Sequence, residues 1–193
     1  MNAKQIQRHL IRQRWHANFV VPNYTPSNWW ECDLFEVTKA GYFKEYEIKV
    51  TLKDFRADTD KRKVKVEWDK PSAPGEKWAR REVSLDSKHQ MLAKSHPHGP
   101  SQFWFVCPED VIPVRLLPAW AGLVYVTGSG QHLHEREIVK APRLHNHKPG
   151  DAIVAHARGV FYYRYYRAMF ERDYYIVDET ESVSDNAGSL VKG

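Results

Sequence analysis

The chain has 193 residues, 42% apolar and 27% charged, which suits one compact α/β domain and excludes collagen-like, coiled-coil and low-complexity classes. No apolar run approaches a membrane span, no apolar signal core follows the basic N-terminus, and two cysteines (Cys32, Cys107) cannot build a disulfide framework, so a soluble cytoplasmic protein without a membrane partner is expected. Residues 1–172 carry 28 bases against 19 acids, a balance of +9 that favours a polyanionic partner, and residues 1–30 contain no acid at all.

In chain order, Ile6, Leu10 and Ile11 recur at helical spacing, predicting an amphipathic helix over 3–15 with basic residues on its other face. Pro22 and Pro26 read as a loop. Residues 31–37 and 42–50 read as strands joined by a three-residue loop, Lys39, Ala40 and Gly41, whose last position favours glycine because it takes a left-handed backbone. Thr51 with Asp54 starts a short helix through Asp58. Residues 61–83, charged and broken by prolines, read as an inserted hairpin with Val64, Val66 and Trp68 on one arm and residues 78–83 on the other. A helix over 85–94 follows, then strands at 102–107, 122–126 and 137–140, and a final helix from Asp151 to Phe170 that buries Ile153, Ala157, Val160, Phe161 and Ala168, with Tyr165 packed beside them. The domain thus covers 1–172, and 178–193 reads as a disordered acidic tail.

The hairpin loop sets a register in which paired residue numbers sum to 80, so Phe35 faces Glu45, Asp33 faces Glu47 and Glu31 faces Lys49. Directly opposed residues share one face of a sheet, and two adjacent carboxylates there repel unless a cation intervenes. Oxygen ligation by two carboxylates and water suits Mg2+ or Mn2+. Lys49, on the same face, is placed to orient an attacking water or neutralise charge on a phosphate. Lys53 and Arg56 on the next helix, with Arg8 and Arg12 on the first, are expected to flank this cleft and contact nucleic acid.

Asp33, then Glu47-Ile48-Lys49 on the second arm of a hairpin between two helices, resembles the PD-(D/E)xK nuclease superfamily. The run from Glu47 to Phe55, with Lys88-His89 and Phe103-Trp104-Phe105-Val106, is similar to small phage-borne and bacterial DNA-repair-associated members. The resemblance covers residues 3–126 apart from the insertion. It implies a restriction-endonuclease-like αβββαβ core, with a mixed sheet flanked by helices, and hydrolysis of DNA phosphodiesters by in-line attack of a metal-activated water. Asp33 and Glu47 would hold the metal with the Ile48 carbonyl, Lys49 would be the catalytic lysine, and Lys88 and His89 would join the nucleic-acid contacts. The family's proline is replaced by Cys32. No acid lies in the first helix, where Gln5 or Gln7 stands instead, and Glu31 or Glu45 is the alternative third acid. RNA remains a second substrate class, and a homodimer is one route to double-strand cutting. The rival reading is a non-catalytic nucleic-acid-binding or protein-interaction module on the same scaffold.

Three His-x-His pairs (His96/His98, His132/His134, His145/His147) read as loop histidines, with a zinc site from two pairs as the alternative. Tyr162, Tyr166 and Arg167 on the last helix form a candidate base-stacking set.

Overall fold

The computed structural model describes residues 1–186 apart from 17, 28, 59–63, 70–78, 85 and 131. Helix α1 spans Ala3–Arg14. Asn2 caps it by accepting from the Gln5 N–H while the Gln5 side chain accepts from the Asn2 N–H. Ile6 and Leu10, one turn apart, are fully buried, and Arg8 and Arg12 are exposed.

Three strands follow, β1 (Phe19–Tyr24), β2 (Cys32–Val37) and β3 (Phe43–Ile48), pairing antiparallel in succession. The expected loop at Pro22 is instead strand β1. It lies at the sheet's edge, where a residue without an N–H costs no ladder bond on the open side. The expected β2–β3 register holds, with Phe35 opposite Glu45 and Val37 opposite Phe43. Its loop closes through Thr38 and Tyr42, and Gly41 takes φ +81°.

Helix α2 (Leu52–Asp58), strands β4 (Val64–Asp69) and β5 (Ala79–Ser84) and helix α3 (Lys88–Ala93) form the crossover to β6 (Gln102–Pro108), which lies parallel to β3. Strands β4 and β5 make the separate antiparallel hairpin expected of the insertion. A single 3-10 turn at Val114–Leu116 precedes β7 (Gly122–Ser129), parallel to β6, and β8 (His132–Val139) returns antiparallel. The mixed sheet has the order β1-β2-β3-β6-β7-β8.

Alternation along the strands gives the sheet two different faces. One buries Val20, Leu34, Tyr46, Ile48, Trp104, Val106, Val124 and Val126 against Ile6 and Leu10 of α1. The other carries Phe35, Phe43, Glu45, Glu47, Phe103 and Phe105, and Phe55 of α2 meets Phe105 edge-on at 4.9 Å.

The chain divides into two compact units, residues 1–150 and a unit beginning at Asp151, where a single domain to residue 172 was expected. Helix α4 runs Asp151–Asn186, past Phe170 and into the segment expected to be a disordered tail. No proline and, after Gly159, no glycine interrupts it. Phe161, Tyr165 and Ala168, expected to be buried, are exposed, as are Tyr162, Tyr163, Tyr166 and Phe170. Among the described residues no helix is long and apolar enough to cross a membrane.

Gly99 shows how tightly the second face is closed. A Cβ there would lie 2.7 to 3.1 Å from three ring atoms of fully buried Trp29. Gly99→Ala should therefore destabilise the protein by about 1–3 kcal/mol, as overpacked cores do, read as a lower urea midpoint. An unchanged midpoint would mean that Trp29 has room to move.

Candidate functional site

The site forms at the carboxyl end of β3. The β2–β3 ladder ends at Leu34 opposite Tyr46, and beyond it the Ile48 N–H donates to Asp33 Oδ2 at 2.7 Å. A residue's N–H and C=O point to the same side of a strand, so the Ile48 carbonyl is directed to the edge where Asp33 lies. Asp33 is half-buried, and its other carboxylate oxygen has no protein donor among the described residues. On the α1 side, the Gln7 amide donates to the Asp33 carbonyl at 2.7 Å and to Asn23 Oδ1 at 2.9 Å. Gln7 thus supports the strand from α1 through the strand's main chain.

Glu47 is buried at 6% exposure with both oxygens occupied. Lys49 Nζ lies 2.8 Å from Oε1 and Lys88 Nζ 2.7 Å from Oε2. Each ammonium is then held by a second acid. Lys49 reaches Asp58 Oδ1 at 3.0 Å, and Asp58 Oδ2 meets His89 Nε2 at 3.1 Å. Lys88 reaches Glu45 Oε1 at 2.5 Å and donates to the Glu31 carbonyl at 3.3 Å. The indole N–H of Trp29 donates to Glu45 Oε2 at 2.8 Å.

Local sequence explains this convergence. Glu45, Glu47 and Lys49 alternate along one strand and so share a face. Ser87 and Gln90 form a capping box that fixes Lys88 as the first residue of α3, with Lys88 and His89 both buried. Lys88 and His89, expected on the phosphate-contacting surface, are therefore inside the site, engaged with carboxylates. Glu31, paired with Lys49 in the extended register, instead exposes its side chain and contributes only its carbonyl, because Lys49 turns to Glu47 and Asp58. Arg8 and Arg12 sit on α1, over the opposite sheet face, so they do not share a row with Lys53 and Arg56, which are exposed on α2.

Asp58 is the functional candidate the sequence reading missed. Its signal is only its place at the end of a helix that begins three residues after Lys49.

The electrostatics are uneven. Burial pushes the Asp33 pKa up to about 6, with the neighbouring Glu47 charge adding to it. Burial likewise pushes Glu45 up to about 7, against the pull of Lys88. Glu47 faces the same burial, but Lys88 and Lys49 outweigh it and hold the carboxyl below its ordinary value. Burial acts to lower both lysines, and their acid partners raise them. Among the described residues the cluster has four acids (Asp33, Glu45, Glu47, Asp58) and two ammonium groups, an excess of acids over ammonium groups.

That excess, with the open Asp33 oxygen beside Glu47 and the Ile48 carbonyl, fits a hard divalent cation bound mainly through oxygen and water. Among the described residues no three His, Cys, Asp or Glu are grouped to hold a metal ion.

No protein-family model matches the chain, and no curated protein does. A solved protein of unknown function from Silicibacter pomeroyi is similar to it, with 18% identity over 99% of this chain and 94% of that one and a TM-score of 0.46. The functional reading therefore rests on the geometry of the site.

The raised Asp33 pKa has a consequence for stability. Its folded value of about 6 exceeds the ordinary 3.8, so between these limits the folded protein holds the extra proton and stability falls as pH rises. Asp33→Asn keeps an acceptor for the Ile48 N–H and removes the charge. Without added divalent metal it should stabilise the protein at pH 8 by about 1–3 kcal/mol and have little effect near pH 4. Equal melting shifts at both pH values would show that Asp33 is not held in a charge-averse position.

Proposed function

We propose that the protein is a metal-dependent nuclease of the PD-(D/E)xK type, hydrolysing phosphodiester bonds of DNA. One observation carries the reading: Asp33, Glu47 and Lys49 converge at one end of the β2–β3 hairpin, with a carboxylate oxygen of Asp33 open beside Glu47. The element order α1-β1-β2-β3-α2, followed by α3 and a strand β6 parallel to β3, supports the restriction-endonuclease-like core that the motif implies.

Asp33, Glu47 and the Ile48 carbonyl would hold Mg2+ or Mn2+, which supplies Lewis-acid polarisation of the phosphate and lowers the pKa of an attacking water. Lys49 keeps its proton because Glu47 and Asp58 both stabilise the ammonium. It acts as a fixed positive charge at the phosphate, not as a base. Asp58, braced by His89, sets the direction of that ammonium. Lys88 holds the second oxygen of Glu47 and fixes its carboxylate plane. Lys53 and Arg56 on α2 lie on the same side of the sheet as Glu47 and supply contacts to flanking phosphates.

A second reading, a module that binds nucleic acid or protein without cutting, is favoured by the two ammonium groups that already satisfy Glu47. Cleavage of labelled single-stranded, duplex and branched DNA in Mg2+ or Mn2+ separates the two. Asp33→Asn, Glu47→Gln and Lys49→Met, chosen to keep shape in a buried ion-pair network, should each lower the single-turnover rate by about 100-fold or more at saturating DNA. Wild-type protein that binds these DNAs and cuts none of them would establish the second reading. Variants that cut as fast as wild type would place the site elsewhere.

A further inference from the structure

Three oxygens from three residues stand around the Lys88 ammonium: Glu45 Oε1 at 2.5 Å, Glu47 Oε2 at 2.7 Å and the Glu31 carbonyl at 3.3 Å. An ammonium has three protons to direct, so the set can use all of them. Two carboxylates and a main-chain carbonyl are also a donor set that suits a hard divalent ion. The oxygens come from β3 and the residue before β2, whereas the ammonium is brought in by α3, whose first residue is fixed by the Ser87–Gln90 capping box. Oxygens and cation therefore belong to different elements and can be separated by one substitution.

Two contacts hold the carboxylates at this point without help from Lys88. The Trp29 indole N–H donates to the other Glu45 oxygen at 2.8 Å, and Lys49 Nζ lies 2.8 Å from the other Glu47 oxygen. Lys88 and Glu45 are both buried, so the ammonium does not trade places with ions from solution. The Phe103 ring lies 5.5 Å from Lys88 Nζ, a contact that favours a desolvated ammonium. Lys49 also bridges two acids, but it is a strand neighbour of Glu47 and shares Asp58 with His89. Among the described residues no main-chain oxygen completes a shell around it.

We propose that Lys88 is a resident cation: it fills the position between Glu45 and Glu47 that a second divalent ion would take, so the centre works with one exchangeable ion, at the Asp33 end. Two-metal nuclease sites hold their ions roughly 3.5–4 Å apart and clamp both the attacking and the leaving oxygen. Here an ammonium that cannot leave supplies the second positive charge to Glu47. A phosphate entering the site meets one metal ion and the Lys49 ammonium. The ion at Asp33 rests on the metal-dependent reading above, whereas the position of Lys88 rests on Glu45, Glu47 and the Glu31 carbonyl alone.

The test counts Mn2+ bound per full-length chain at saturation and pH 8, from the loss of the free-ion electron paramagnetic resonance signal. Wild type should take up one ion. Lys88→Ala should bind one more than wild type, Lys88→Ala/Glu45→Gln should lose that extra ion, and Lys88→Ala/Asp33→Asn should keep it while losing the other. An extra ion in Lys88→Ala with none in wild type would uphold the resident cation and remove the ion at Asp33. Two ions in wild type, or one in both wild type and a folded Lys88→Ala, would overturn the proposal and leave the metal-dependent reading standing. No ion in either would sink both. If Lys88→Ala shows no melting transition in EDTA, Mn2+ should restore it, and a variant that Mn2+ does not refold overturns the proposal as well.

Discussion

The Glu47 carboxylate, gripped from both sides by the ammonium groups of Lys49 and Lys88, is the contact on which the rest of this site depends. Three buried charges in so small a volume are tolerable only because every one has a partner of opposite sign. Lys49 leans on Asp58 of α2 and Lys88 on Glu45 of β3, so both helices of the β3–β6 crossover are tied to the central strand by charge as well as by Phe55 and Leu92. Removing Lys88 leaves Glu45 without its cation in the interior. That is a structural cost before it is a chemical one.

The network is not neutral, and the imbalance has direction. Glu47 sits where two cations hold it ionised, while Asp33 and Glu45 are pushed toward protonation. Glu45 is sealed under Trp29, and among the described residues Lys88 is the cation that answers its charge. Asp33 is half-exposed with an open oxygen. Negative charge in excess, presented to solvent at one point, is the electrostatic condition for recruiting a divalent cation there. The same residues on a fully neutral network would have no such preference.

The hairpin was legible from sequence because one glycine decided it. Gly41 at φ +81° sets the loop, the loop sets the register, and the register puts Asp33 and Glu47 on one face. Strand β1 was hidden by Pro22, which only an edge position tolerates. Lys88 and His89 were found as residues but misplaced, since a capped helix start in sequence does not say which way its first two side chains turn. Asp58 was invisible because its partners, Lys49 and His89, are brought to it by tertiary packing. Arg8 and Arg12 were assigned to the wrong side for the same reason: helical periodicity identifies the apolar face of α1 and not the sheet face it covers. In α4, apolar periodicity held at Ala157, which is fully buried, and failed at Phe161 and Tyr165, which are exposed.

The central claim is that Asp33 and Glu47 together hold a divalent cation, and Mn2+ binding followed by the loss of its free-ion electron paramagnetic resonance signal tests it without any assumption about substrate. Wild-type protein should take up Mn2+ at a site competed by Mg2+, and Asp33→Asn should weaken that uptake at least tenfold while Lys53→Ala leaves it unchanged. Mn2+ binding that is absent in wild type, or equally strong in Asp33→Asn, would contradict the account.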